Sequence, residues 1–140
     1  MRLRRWQRKA LKSAFDKYKR NERHFLCLAT PGAGKTYWAS ALAKRLLDTE
    51  AIDLVLCFAP SIMVAAGFKE TLSETLKKRV DGSLGAAGRV LTYQSMLNQN
   101  ESFWKLFEEF RVFVIFDEIH HCAGSDFENA NAWGLSLIHI

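Results

Sequence analysis

The sequence predicts a three-layer α/β sandwich built around a mostly parallel sheet. Three observations carry that prediction. Short unbroken apolar runs, clearest at Leu54–Ala59 and Val112–Phe116, alternate with longer stretches whose apolar residues recur at helical spacing. The runs are apolar at consecutive positions, which suits strands covered on both faces rather than strands with one wet face. A glycine turn at residues 31–34 and an acidic pair, Asp117-Glu118, each follow such a run. Alternation of strand and helix implies parallel pairing through right-handed crossovers, and folds of that kind place ligands at the carboxyl ends of their strands.

Taken in order, Leu3, Trp6, Ala10, Leu11, Ala14 and Tyr18 predict an amphipathic helix over residues 2–20, its basic residues on the opposite face. Residues 24–30 read as a buried strand entering a Pro-Gly turn. A helix over 35–47 follows, with Trp38, Ala39, Leu42, Ala43 and Leu46 on one face. Leu54–Ala59 is the second strand, 61–78 a further helix, and 81–88 a loop with three glycines. Residues 89–92 form a short strand. Residues 101–110 form a helix that turns Phe103, Trp104, Phe107 and Phe110 to a core. Val112–Phe116, with three β-branched residues in five, is the best-marked strand.

A chain of 140 residues is one domain, able to bury a real core. With 49% hydrophobic and 25% charged residues it is globular. No apolar run nears the ~18 residues of a membrane span, and the N-terminus is too charged for a secretory signal. Cys27, Cys57 and Cys122 make no CxxC and no even framework, which suits a reducing, cytoplasmic setting. The net charge of +5 is uneven. Residues 1–23 hold ten Lys or Arg against two acids, a sum of +8, and the remainder sums to −3. A basic head on a mildly acidic body points to a polyanion near the head, or to a plain solvated helix face.

Two motifs carry chemistry. Ala29-Thr30-Pro31-Gly32-Ala33-Gly34-Lys35-Thr36 joins the first strand to the next helix, as a phosphate-binding loop (Walker A) does. Gly32 and Gly34 allow backbone N–H groups to converge on an anion, and the helix beginning near Lys35 adds the positive end of its dipole. Lys35 reaches terminal phosphates and Thr36 offers a hydroxyl to Mg2+. The general pattern has Gly where this chain has Ala29. The second motif is the acidic pair. Asp117 is assigned to Mg2+, directly or through water, and Glu118 to a water that attacks the terminal phosphate. His120, His121 and Cys122 lack the spacing of a closed zinc site.

Together these motifs resemble superfamily 2 helicases and translocases. Asp117-Glu118-Ile119-His120 is similar to their DEAD/DEAH-type box, and the Ala-x-x-Gly-x-Gly-Lys-Thr loop is a form this family uses. Leu3-Arg4-Arg5-Trp6-Gln7 resembles an adenine-reading Gln segment. Phe58-Ala59-Pro60-Ser61 and Leu91-Thr92-Tyr93-Gln94 resemble segments that contact a nucleic-acid backbone. The resemblance covers residues 2–134 and is nearest to the branch of restriction-enzyme motor subunits, the type III restriction/helicase ATP-binding group. It implies a RecA-like P-loop NTPase domain that uses ATP and Mg2+ and moves on nucleic acid, DNA rather than RNA.

The resemblance also implies roles. Lys35, Glu118 and His120 are catalytic, His120 coupling nucleotide to nucleic acid. Gln7, Thr30, Pro31, Gly32, Ala33, Gly34, Lys35 and Thr36 hold ATP; Thr36 and Asp117 hold the metal; Pro60, Ser61, Thr92 and Tyr93 meet nucleic acid. The 82–88 glycine loop is either part of that strip or, the reading favoured here, an ordinary connection. Residues 1–23 are the basic helix with its Gln segment and 24–134 the ATP-binding domain. The family's next strand and its second RecA-like domain, with the arginine finger, are expected downstream. Residues 135–140, Leu-Ser-Leu-Ile-His-Ile, resemble translated sequencing-adapter read-through and read as a non-native tail. The rival functions are a P-loop ATPase of another class, and a non-catalytic nucleotide-binding fragment.

Overall fold

The structure is a computed structural model. It describes residues 3–20 and 34–117, together with the backbone course of two strands, His24–Leu26 and Ser136–His139. In chain order the elements are α1 (Arg5–Lys19), β1 (His24–Leu26), α2 (Lys35–Asp48), β2 (Leu54–Ala59), α3 (Ile62–Leu76), β3 (Gly88–Thr92), α4 (Tyr93–Leu97), α5 (Glu101–Glu109), β4 (Val112–Phe116) and β5 (Ser136–His139). The strands form one sheet in the order β1-β5-β4-β2-β3, and every neighbouring pair is parallel.

Alternation of side chains on β2 and β4 separates the core into two halves. Val55, Cys57, Phe113 and Ile115 face one side, where they join Leu11 and Ala14 of α1, Trp38, Leu42 and Leu46 of α2, and Phe68 and Leu72 of α3. Leu56, Phe58, Val114 and Phe116 face the other, with Leu91, Met96 of α4 and Phe103 of α5. Helices therefore cover both faces, and the expected three-layer sandwich is what forms. The reason is visible in the strands: β2 and β4 are buried at almost every position, so neither face can be left to water. Each fully buried Phe or Ile contributes about 1.5–3 kcal/mol relative to an exposed one.

The crossovers explain which helix covers which face. From β2 to β3 the chain steps outward along the sheet through α3. From β3 to β4 it steps back across β2 through α4 and α5. Reversing direction while keeping one hand of crossover forces the helices onto the opposite face.

Three expectations are corrected, and the favoured reading of the 82–88 loop as a plain connection holds. A strand does follow β4: Ser136–His139, within the stretch read as a foreign tail, lies between β1 and β4 and pairs with both. Four residues are too short to stand out in a sequence, and the sheet supplies their register. A helix, α4, follows β3 at once, started by Thr92, whose side chain accepts from the Ser95 N–H. Phe110 is 43% exposed rather than in the core. It caps α5 in an extended conformation (φ −128°, ψ 154°), which takes it out of helical phase. The 82–88 loop enters β3 at its amino end, where Gly88 pairs with Val55 near the start of β2. It is a surface connection, held by the Asp81–Arg89 bridge and by Arg79 donating to the Leu84 carbonyl (2.8 Å). It lies at the opposite edge of the sheet from residues 60, 61 and 92.

At that amino edge Arg111 clasps Asp53. The Arg111 N–H and Nε reach Oδ2 at 2.8 and 3.2 Å, and Nη2 reaches Oδ1 at 3.0 Å. The Arg111 side-chain bonds, followed by its backbone N–H, hold the Asp53 carboxyl below its usual 3.8. A depressed carboxylate contributes stability that is present above the unfolded value and is lost as pH falls through the folded one. We expect Asp53→Asn to lower the melting temperature by a constant, small amount above the usual carboxylate value, and by less and less as pH falls through the lowered folded value. Thermal melts of both proteins across that range would show it. A difference that grows toward acid pH would contradict the assignment.

Candidate functional site

Because all strands run the same way, their carboxyl ends share one edge. The segment after β1 leads to α2 there, and Asp117 follows β4 there, with β5 between the two strands. Gly34 starts α2 from the left-handed region (φ +87°, ψ 32°), a conformation that glycine adopts without the clash a Cβ would bring. Lys35 and Thr36 are the first two helical residues, half-buried at the helix's positive end. The Ser40 hydroxyl donates to the Thr36 carbonyl (2.8 Å), an intrahelical bond that leaves the Thr36 side chain uninvolved.

Gln7 is the residue whose setting the sequence concealed. A glutamine among arginines and lysines on an amphipathic helix reads as exposed, yet Gln7 is only 2% exposed. Its Oε1 accepts from the Arg4 N–H (2.6 Å), closing the start of α1. Its Nε2 donates to the Gly34 carbonyl (2.9 Å). That carbonyl also accepts the Trp38 N–H (3.0 Å), so the basic helix is tied to the residue that opens α2. A side-chain amide has two N–H donors and two acceptor lone pairs. The two bonds use one donor and one acceptor of the Gln7 amide.

Asp117 is 7% exposed. Its N–H donates to the Phe58 carbonyl (3.0 Å), extending the β2–β4 ladder past the end of β4. Its carbonyl accepts from the Tyr93 hydroxyl at 2.6 Å. Burial pushes the Cys57 thiol well above its usual value, and the Asp117 charge raises it further. Cys57 is therefore a protonated, inert core thiol, as its place in a buried strand predicts.

The residues expected at nucleic acid divide. Pro60 and Ser61 follow β2, and Ser61 caps α3 by accepting the Val64 N–H (3.2 Å). Thr92 ends β3 and caps α4, accepting from the Ser95 N–H (3.1 Å) and donating to the Ser95 hydroxyl (3.0 Å). β2 and β3 are neighbours, so these three residues share a short stretch of the carboxyl edge. Tyr93 turns inward instead. It is 8% exposed, with its ring stacked on Phe116, so its side chain is not on that surface. Thr30, Pro31, Gly32, Ala33, Glu118 and His120 lie outside the described residues. Among the described residues no group of three His, Cys, Asp or Glu could hold a metal, and no helix is long and apolar enough to cross a membrane.

Comparison with known proteins places this arrangement. The family profile described as "Type III restriction enzyme, res subunit" matches residues 1–135. An uncharacterized protein of Mycobacterium leprae, ML1624, is 31% identical over 94% of this chain, and so is Rv2917 of Mycobacterium tuberculosis. The chain spans 22% of the length of each. Among solved structures, the UvsW helicase from bacteriophage T4 matches 93% of this chain and 50% of its own, at 20% identity and a TM-score of 0.69. The type ISP restriction-modification enzyme LlaGI, solved with a DNA substrate mimic, matches 100% of this chain and 17% of its own, at 18% identity and a TM-score of 0.63. These two structures share the fold of the chain. The profile, running over nearly all of the sequence, establishes its kinship: the chain belongs to the family of type III restriction enzyme res subunits.

Proposed function

We propose that this chain is the ATP-binding domain of an ATP-dependent DNA translocase or helicase working in the cytoplasm. One observation carries the reading. The glycine-led start of α2, with Lys35 and Thr36 in its first turn, and the buried Asp117 after β4 open on one edge of a single parallel sheet, on either side of β5. Phosphate and metal chemistry need a cationic, donor-rich helix start facing a carboxylate, and these residues are of that kind.

The residues fit ATP and Mg2+. Gly34 holds the backbone turned so that the first N–H groups of α2 point out of the helix toward the edge. Lys35 brings a positive charge to the same place, suited to the β- and γ-phosphates. The Thr36 hydroxyl and the Asp117 carboxylate are hard oxygen donors, suited to Mg2+. Glu118 orients a water and takes its proton, and His120 links that event to the nucleic-acid edge. Bound Mg-ATP supplies the phosphoanhydride whose hydrolysis drives movement. Gln7 sets the base preference with its remaining donor and acceptor. Pro60, Ser61 and Thr92 meet one strand's phosphates, contacts that position without reading sequence.

UvsW is named a helicase and LlaGI was solved with a DNA substrate mimic, and both lend support to DNA as the partner. In the relatives this stretch is about a fifth of the protein. A second RecA-like domain in the remainder would supply the arginine that completes the site, a residue worth about 10³–10⁵ in rate. The test is phosphate release by the full-length protein carrying this chain, with and without duplex DNA. We expect DNA to raise the rate at least about fivefold, the low end of typical couplings between sites. ATP hydrolysis indifferent to nucleic acid would mark a P-loop ATPase of another class. Failure to bind ATP at all would mark a fragment with no nucleotide role.

A further inference from the structure

Three aromatic rings connect the carboxyl ends of three strands. Phe58, next to last in β2, stacks on Phe116, the last residue of β4 (5.4 Å between centroids, 23° between planes). Phe116 stacks in turn on Tyr93 (6.0 Å, 8°), which follows the last residue of β3. All three are buried. From the end of this stack the Tyr93 hydroxyl donates to the Asp117 carbonyl at 2.6 Å.

That carbonyl has a particular place. It belongs to the peptide unit joining Asp117 to Glu118, the two carboxylates assigned to metal and water. The preceding peptide unit is held by its N–H, which donates to Phe58. A peptide unit is planar, so fixing its carbonyl fixes the plane from which the next residue departs. The Tyr93 hydroxyl therefore holds the Asp117 carbonyl, as the bond to Phe58 holds the Asp117 N–H. At its other end Tyr93 is covalently joined to Thr92, on the edge assigned to nucleic acid. A load on Thr92 is delivered through one rigid ring to the peptide between the two carboxylates.

We propose that Tyr93 is the positioning residue that couples the nucleic-acid edge to Asp117. It acts through its hydroxyl, without touching either ligand. The proposal rests on the motor reading above. Its physical basis is that packed aromatic cores have discrete arrangements and do not deform continuously, so a shift at one end is passed on rather than absorbed.

The experiment measures coupling free of kinetics. Affinity for a non-hydrolysable ATP analogue is measured in the full-length protein with and without saturating duplex DNA, in the native sequence and in Tyr93→Phe. The ring stack survives that substitution and the hydroxyl is lost. We expect the native protein to show a ratio of at least about fivefold between the two affinities, and the variant a ratio near one. DNA affinity without nucleotide should stay within about twofold, since the side chain is buried. A variant that keeps the native ratio overturns the proposal. So does a variant that loses DNA affinity about tenfold in the absence of nucleotide, for Tyr93 would then be a DNA contact. A native protein in which DNA leaves ATP affinity unchanged fails at the motor reading, and the proposal falls with it. Should Tyr93→Phe melt far below the native protein, 3-fluorotyrosine at position 93 gives the second readout. Its fluorine resonance should move on adding the ATP analogue and, separately, on adding DNA. A resonance deaf to either ligand overturns the coupling.

Discussion

Replacing Gly34 with alanine should weaken ATP binding about 100-fold, close to 2.7 kcal/mol. Two costs act at the same atom. At φ +87° an L side chain sits in the left-handed region, at about 1–2 kcal/mol. The new Cβ would also stand 2.6 Å from Gln7 Nε2, closer than real Cβ contacts come. Gln7 can retreat only by giving up its bond to the Gly34 carbonyl and, through the same side chain, its hold on the Arg4 N–H. A lost neutral hydrogen bond costs about 1 kcal/mol. Nucleotide binding is expected to need Gly34 in this conformation, so the cost is read as a loss of affinity. Calorimetric titration with Mg-ATP would measure it, and a variant within about threefold of the native affinity would contradict the account.

The second large effect is on stability. Gly88 begins β3, which among the described residues is an edge strand paired with β2. A Cβ there would lie 1.8 Å from the Val55 carbonyl oxygen, 2.8 Å from its carbon and 3.1 Å from its nitrogen. Every obstacle is backbone of an interior strand, so no side-chain rotation relieves it. β3 must move away, which strains the Val55 N–H bond to the Ala87 carbonyl (3.0 Å) and the Gly82 N–H bond to Gly88 (3.1 Å). Overpacking of this kind costs about 3 kcal/mol, or roughly 10 °C in melting temperature for a chain of this size. Gly88→Ala is therefore expected to melt about 10 °C below the native protein and to expose β3 to early hydrogen exchange. A melting temperature within about a degree of native would show that the edge strand yields freely. Because β3 delivers Thr92 and Tyr93 to the carboxyl edge, the same variant should also blunt any response to DNA.

Much of the fold was legible because burial on both faces writes itself into a strand as an unbroken apolar run. β2 and β4 have the bounds their runs predict, and Trp38, Ala39, Leu42, Ala43 and Leu46 of α2 are all buried as their spacing requires. Some misses were local, as at α4 and Phe110, but others share a cause, a neighbour distant in sequence. Gln7 is buried by its bond to a residue 27 positions away, which no local hydropathy records. Tyr93 points inward because Asp117, 24 positions on, offers a carbonyl. β5 has four residues and gains its place from the two strands that flank it. The candidate site shows the same division. The residue types at 34–36 and 117 were readable from the motif alone. How Gly34 and Asp117 are held, by Gln7 and Tyr93, needed the structure.

An ATP site at residues 34–36 and Asp117 is put to the proof by titrating Mg-ATP into the native protein beside Lys35→Ala. The account predicts saturable binding of one nucleotide per native chain and none detectable in the variant, whose helix start has lost its positive charge. Equal binding by the two proteins would contradict it.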